Sequence, residues 1–138
     1  MNASAIKTEY SSTIEGVEEI VIYNYFATIN QEDFEQTATL FAEDGQLLAP
    51  FEKPLIGRQA IAAYLTKEAK GMELLPQTGI AIADNPQQFD IKGKVKTSLF
   101  TVNVGWYFEL NQLKKITTAK IKLLASPQEL LGLKNKMS

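Results

Sequence analysis

Apolar and polar residues alternate from Thr101 to Leu110, with Val102, Val104, Trp106, Phe108 and Leu110 on one face and Thr101, Asn103, Gly105, Tyr107 and Glu109 on the other. A period of two over this length predicts a central strand with one face in the core. The same period runs through most of the second half of the chain. Met72, Leu74, Thr78, Ile80 and Ile82 alternate along a strand interrupted at Pro76, which predicts a bent or edge strand. From Gln87 to Leu99, Phe89, Ile91 and Val95 should face in and Asp90, Lys92, Lys94 and Lys96 out. From Lys115 to Leu124, Thr117, Ala119, Ile121 and Leu123 should face in and Lys120 and Lys122 out. Asp84-Asn85-Pro86, Thr97-Ser98 and Asn111-Gln112 supply the turns.

The first half has the helical period. Ser12 and Glu15 have capping-box spacing, and the pattern from there to Asn30 turns Val17, Val21, Ile22, Tyr25, Phe26, Thr28 and Ile29 to one side, with the Tyr25 phenol pointing at the core. Asn30 and Asp33 form the next N-cap pair, so a second helix is expected over Gln31 to Phe41. Ala42 to Gly45 reads as a turn, and Gln46 to Pro50 and Pro54 to Gly57 as short extended pieces. A third helix should run from Arg58 to Lys70, burying Ile61, Tyr64 and Leu65 and stopping at Gly71. Ser126-Pro127-Gln128-Glu129 caps a short closing helix that buries Leu130 and Leu131. Residues 1–11 read as a flexible lead-in and 12–138 as one domain. Helices followed by a run of long amphipathic strands make an α+β cone: three N-terminal helices on a strongly curved antiparallel sheet, with a pocket between them.

Composition narrows what that pocket can do. The 138 residues are 45% hydrophobic and 22% charged, ordinary for one globular domain. No apolar run is long enough to span a bilayer and the N-terminus lacks a signal-peptide core, so a cytoplasmic location is expected. Without cysteine or histidine the chain has no thiolate nucleophile, imidazole base or usual zinc ligand, so no metal site is expected. A net charge of −2 gives no reason to expect nucleic acid.

The inward strand positions carry no acid or base, so an acid–base enzyme would lack its central part. Glu43 and Asp44 are the acids nearest a pocket mouth, and as turn residues they read as solvated. What remains is an apolar cavity with two donors, the Tyr25 phenol and the Trp106 indole. Each must find an acceptor if buried, and two kinds are open: a backbone carbonyl or a ligand. The lysine row Lys92, Lys94, Lys96, Lys120 and Lys122 reads as a solvated sheet face that discourages edge aggregation.

Several stretches carry a resemblance: Asn24-Tyr25, Asn30-Gln31-Glu32-Asp33-Phe34, Leu40-Phe41-Ala42-Glu43-Asp44-Gly45, Pro54-Leu55-Ile56-Gly57 and Leu123-Leu124-Ala125-Ser126-Pro127-Gln128-Glu129-Leu130-Leu131. They resemble the C-terminal domain of the orange carotenoid protein and its stand-alone cyanobacterial homologues, a family with the nuclear transport factor 2-like fold. The last stretch is the most specific. The resemblance implies a non-enzymatic protein that binds a ketocarotenoid of the canthaxanthin or echinenone type. It also implies photoprotection by singlet-oxygen quenching and transfer of pigment to or from a helical carotenoid-binding protein. Tyr25 and Trp106 would then donate to the keto oxygen, with ring and polyene contacts on Met72, Leu74, Phe108, Ile121 and Leu123. A carotenoid is too long for one small cone, so a homodimer is expected when pigment is bound, as is transient contact with the thylakoid membrane. The family's helical partner domain has no counterpart in these 138 residues, and the cysteine of many stand-alone homologues is missing, a departure that speaks against redox control through an intermolecular disulfide. Two other readings use the same fold: an isomerase or dehydratase, which would need Asp44 or Glu43 buried beside Tyr25, and a protein-interaction module working through the outer sheet face.

Overall fold

The structure, a computed structural model, describes residues 14–82 and 85–124. The lead-in, the Ser12 cap, Asp84 of one turn and the closing helix after Ser126 lie outside the described residues. The described residues form three helices, α1 (Ile20–Asn30), α2 (Phe34–Thr39) and α3 (Arg58–Glu68), and six strands, β1 (Phe41–Leu48), β2 (Leu55–Ile56), β3 (Glu73–Ile82), β4 (Asn85–Lys96), β5 (Thr101–Leu110) and β6 (Ile116–Leu123). The strands form one sheet in the order β2-β1-β6-β5-β4-β3. This is the expected α+β architecture with one departure: β1 pairs with β6 in parallel, while every other neighbouring pair is antiparallel.

β5 alternates as its sequence predicts, with Val104, Trp106, Phe108 and Leu110 buried. Its partner β4 buries Phe89, Ile91 and Val95 and leaves Lys92, Lys94 and Lys96 exposed. Register shifts spoil the parity of the flanking strands. In β3 the register shifts between Pro76 and Thr78, so Leu74, Pro76 and Gly79 are buried while Thr78 and Ile80 are exposed, Ile80 by 64%. In the β5–β6 pairing it shifts between Glu109 and Leu110, which carries Ile116 into the core and leaves Thr117 half-buried, its hydroxyl donating to the Glu109 carbonyl. An extra residue unpaired in one strand bends it and reverses which side chains face in. Where β3 crosses β4 a Cβ on Gly93 would lie 2.2 Å from the Leu75 carbonyl oxygen, a contact only glycine avoids.

The first helix begins at Ile20 rather than near Ser12. Gly16 takes φ +90°, a conformation other residues rarely adopt, and the chain before the helix lies along the edge of β3. There the Gly79 amide donates to the Glu15 carbonyl at 2.7 Å. Tyr23 fastens the same segment, accepting from the Ile14 amide at 3.0 Å and donating to the Val17 carbonyl at 2.7 Å. The second helix is also shorter than expected: Asp33 caps it, accepting from the Gln36 amide, and Phe41 already starts β1. Asn30 is not a cap. Its side chain donates to the Leu74 carbonyl at 2.9 Å and accepts from the Leu74 amide at 2.7 Å, closing the β3 edge beside α1. The expected turn over Ala42 to Gly45 is part of β1, and the third helix ends two residues before the expected Lys70. No helix among the described residues is long and apolar enough to cross a membrane.

Candidate functional site

Between α1, α3 and the inner face of β3 to β6 lies a cavity of about 280 Å³. Of the residues expected at the site, Tyr25, Met72, Leu74, Trp106, Ile121 and Leu123 line it. Phe108 does not. It is fully buried behind the wall with its ring 5.0 Å from that of Tyr25, edge to face, so its part is to hold the tyrosine rather than to touch cavity contents. The period-two pattern placed Phe108 on the correct face of β5; what it could not register is that α1 covers that part of the face.

Tyr25 sits mid-helix on the buried side of α1 because Ile22, Phe26 and Ile29 share that side with it. Rings pack around it: Phe26 at 5.2 Å, Phe108 at 5.0 Å and Phe41 at 6.3 Å between centroids. Phe26 in turn meets the Trp106 ring edge-on at 4.8 Å, so one aromatic cluster fixes both donors. Each such pair contributes about 1 kcal/mol beyond its buried area.

The Tyr25 hydroxyl is buried and has no hydrogen-bond partner. Burial pushes its pKa well above the usual tyrosine range, and neighbouring Tyr64 pushes it further, so at neutral pH the group is a protonated donor. Trp106 is 2% exposed, and its indole N–H makes no hydrogen bond among the described residues. Of the two acceptors left open by the sequence, backbone carbonyls are not the ones used by these donors. A buried polar group left unpaired costs about 1–3 kcal/mol, and the Tyr25 hydroxyl carries that cost in the wall of the cavity.

The remaining wall is apolar, with Ile29, Leu65, Val95, Val102 and Val104 among its residues. Three features were not anticipated. Tyr64, half-buried on α3, lines the cavity, its pKa pushed up to about 12 by burial and by the carboxylates of Glu52 and Glu68. Glu68 itself lines the cavity, one turn further along α3. The turn between β4 and β5 contributes Thr97 to Phe100, tied by the Thr97 hydroxyl, which accepts from the Leu99 and Phe100 amides at 3.2 and 3.1 Å. The spacing of Leu65, Tyr64 and Glu68 on one helix was a legible signal that Glu68 follows its neighbours to the cavity side.

Glu43 and Asp44 are exposed on β1 and do not line the cavity, so the buried acid that an isomerase needs beside Tyr25 is not supplied by either. No group of three or more acidic residues suited to hold a metal ion occurs among the described residues. On the outer sheet face Lys92, Lys94, Lys96, Lys120 and Lys122 are exposed, as a solvated row would be.

No protein-family model matches the chain. It is 39% identical over 126 residues to an orange carotenoid-binding protein of Limnospira maxima, a match that takes in 87% of this chain and 40% of that protein. Among solved structures, the orange carotenoid protein of Anabaena (Nostoc) sp. PCC 7120 binding canthaxanthin superposes with a TM-score of 0.77 at 39% identity, over 88% of this chain and 40% of the other. An NTF2-like protein of unknown function from Cytophaga hutchinsonii, 11% identical with a TM-score of 0.67 over 86% of this chain and 98% of its own, shares the fold alone. The chain thus spans about two fifths of the length of the carotenoid-binding relatives it matches.

Proposed function

Because the chain is homologous to the C-terminal domain of the orange carotenoid protein and has the nuclear transport factor 2-like fold, we propose that its cavity binds one end of a ketocarotenoid. The observation that carries this reading is the Tyr25 hydroxyl, buried without a partner in the wall of an apolar cavity that Trp106 also lines. A terminal ring ketone supplies what the two donors lack: an acceptor at the end of a long apolar body. Pigments of the canthaxanthin or echinenone type have that form, and the Anabaena relative binds canthaxanthin.

Burial provides most of the affinity. A polyene end that hides about 400 Å² of apolar surface gains roughly 10 kcal/mol at about 25 cal/mol per Å², before ordering costs. The two hydrogen bonds add about 1 kcal/mol each and fix position and colour. Met72, Leu74, Ile121 and Leu123 are the polyene contacts. The pigment-loaded protein acts in photoprotection by quenching singlet oxygen and exchanges its pigment with a helical carotenoid-binding protein, making transient contact with the thylakoid membrane to do so. It is not an enzyme, a reading supported by the exposure of Glu43 and Asp44.

Expression in a host that makes canthaxanthin tests this. The purified protein should be coloured, with absorption red-shifted from the free pigment, because a conjugated carbonyl gains negative charge on excitation and two donors stabilise it. Trp106→Phe should lose part of the shift and some affinity, since it removes both a donor and contact area. A colourless protein from a pigment-rich host would refute the reading.

A further inference from the structure

The polar groups of the cavity are unevenly distributed. The two unpartnered donors, Tyr25 and Trp106, are almost wholly buried, whereas Glu68 is exposed and stands where the cavity meets solvent. No lysine or arginine lines the cavity. Donors alone would not choose a ketone. A carboxylate accepts hydrogen bonds more strongly than a neutral carbonyl, so a phenol and an indole would by themselves favour an apolar acid.

We propose that Glu68 makes the cavity selective for uncharged ligands, admitting an apolar molecule that ends in a neutral acceptor and turning away the corresponding carboxylate. The inference rests on the cavity being a ligand site, as proposed above, and adds the charge rule of that site. An acid can enter in two orientations. With its carboxylate inward, the charge is desolvated against Leu74, Val104 and Ile29 with no cation to pair it. With its carboxylate at the mouth, as an apolar acid would otherwise prefer, the charge meets Glu68 directly. Glu52 adds to the negative field there, since both carboxylates act on the Tyr64 hydroxyl. Specificity of this kind comes from a repulsive element rather than from a better fit to the chosen ligand.

Methyl retinoate and retinoate share one polyene and differ only in the charge of the end group, and Trp106, the single tryptophan of the chain, lines the cavity as a built-in reporter. Quenching of its fluorescence gives a Kd for each. In low salt the wild-type protein should bind the ester at least tenfold more tightly than the acid. Glu68→Gln should shrink that ratio about threefold, the effect of removing one like charge roughly 7 Å away at the dielectric of water, and Glu68→Lys should shrink it further. Added salt should narrow the wild-type ratio, because the mouth is open to solvent. Equal ratios in wild type and Glu68→Lys, or a wild type that binds the acid as tightly as the ester, would overturn the proposal. So would a protein that binds neither retinoid; in that case a canthaxanthin titration shows whether the carotenoid reading falls with it or stands alone.

Discussion

A tyrosine that is buried yet unpartnered is costly to the empty protein, and Tyr25 is held in that state by the rings of Phe26, Phe41 and Phe108. Removing the hydroxyl should therefore relieve the empty protein while depriving the loaded one. Tyr25→Phe is expected to raise the ligand-free melting temperature by a few degrees, corresponding to about 1 kcal/mol, and to move the absorption of the pigment complex to the blue. A lowered melting temperature with an unchanged spectrum would mean that the hydroxyl serves the fold. Phe108→Ala should cost about 3–5 kcal/mol in denaturant unfolding, because it opens a hole behind Tyr25 as well as removing area. Tyr64 gives a pH-dependent readout. Its pKa is raised to about 12, firstly by burial and then by Glu52 and Glu68, so the folded state favours the neutral phenol more than the unfolded chain does. The stability this contributes is present below pH 10 and is lost as pH rises from about 10 to about 12. A wild-type protein should accordingly lose more stability over that interval than Tyr64→Phe, measured by urea unfolding at each pH; equal losses would contradict the assignment.

The strands and helices differ in how far the sequence revealed them, and the reason lies in who their neighbours are. β5 is flanked by β4 and β6 along most of its length, so its alternation survives intact and Trp106 falls where period two places it. β3 and β6 each belong to a pairing with a one-residue slip, and a slip is a property of two strands that neither sequence contains alone. That is why Thr78 and Ile80 were misplaced while Leu74, before the slip, was not. The start of α1 was obscured because a capping-box spacing at Ser12 and Glu15 outweighed Gly16, whose close approach to β3 ends any helix there. Asn30 shows the same limit, since a residue typical of caps instead completes a sheet edge 44 positions away. Asn30→Ala should lower unfolding free energy by about 1–2 kcal/mol, leaving the Leu74 amide and carbonyl to find water. Hydrogen exchange should report it locally, with the Leu74 amide losing protection before its neighbours across β4. Of the cavity wall, Tyr25 and Trp106 were legible from two periodicities and Met72, Leu74, Ile121 and Leu123 from the resemblance; Glu68 could have been read from its spacing to Tyr64 and Leu65 on α3, whereas the Thr97 to Phe100 turn needed the third dimension.

At the scale of the molecule the deciding quantities are the size of the cavity and the length of its proposed ligand. About 280 Å³ accommodates one end ring and part of a conjugated chain, and the remainder of a C40 pigment has to emerge past Leu99, which lines the cavity and is 75% exposed. Left in water, that half would forfeit roughly as much apolar burial as the inner half gains, about 10 kcal/mol. A symmetric diketone such as canthaxanthin presents the same end group twice, and a second copy of this chain presents the same cavity, so two-fold closure around one pigment satisfies both ends with no new surface chemistry. The expectation is a complex of two chains and one canthaxanthin, seen by light scattering together with pigment absorbance, that dissociates when pigment is withdrawn. Echinenone, with a keto group on one ring only, should bridge less tightly, because the second pair of Tyr25 and Trp106 donors would face a ring without an acceptor and remain unpaired. Leu74→Trp should prevent both complexes by filling the wall from which the polyene is held, with the fold retained in circular dichroism. A loaded monomer carrying a whole canthaxanthin would overturn this account, for it would require the exposed half of the pigment to be covered by this chain alone.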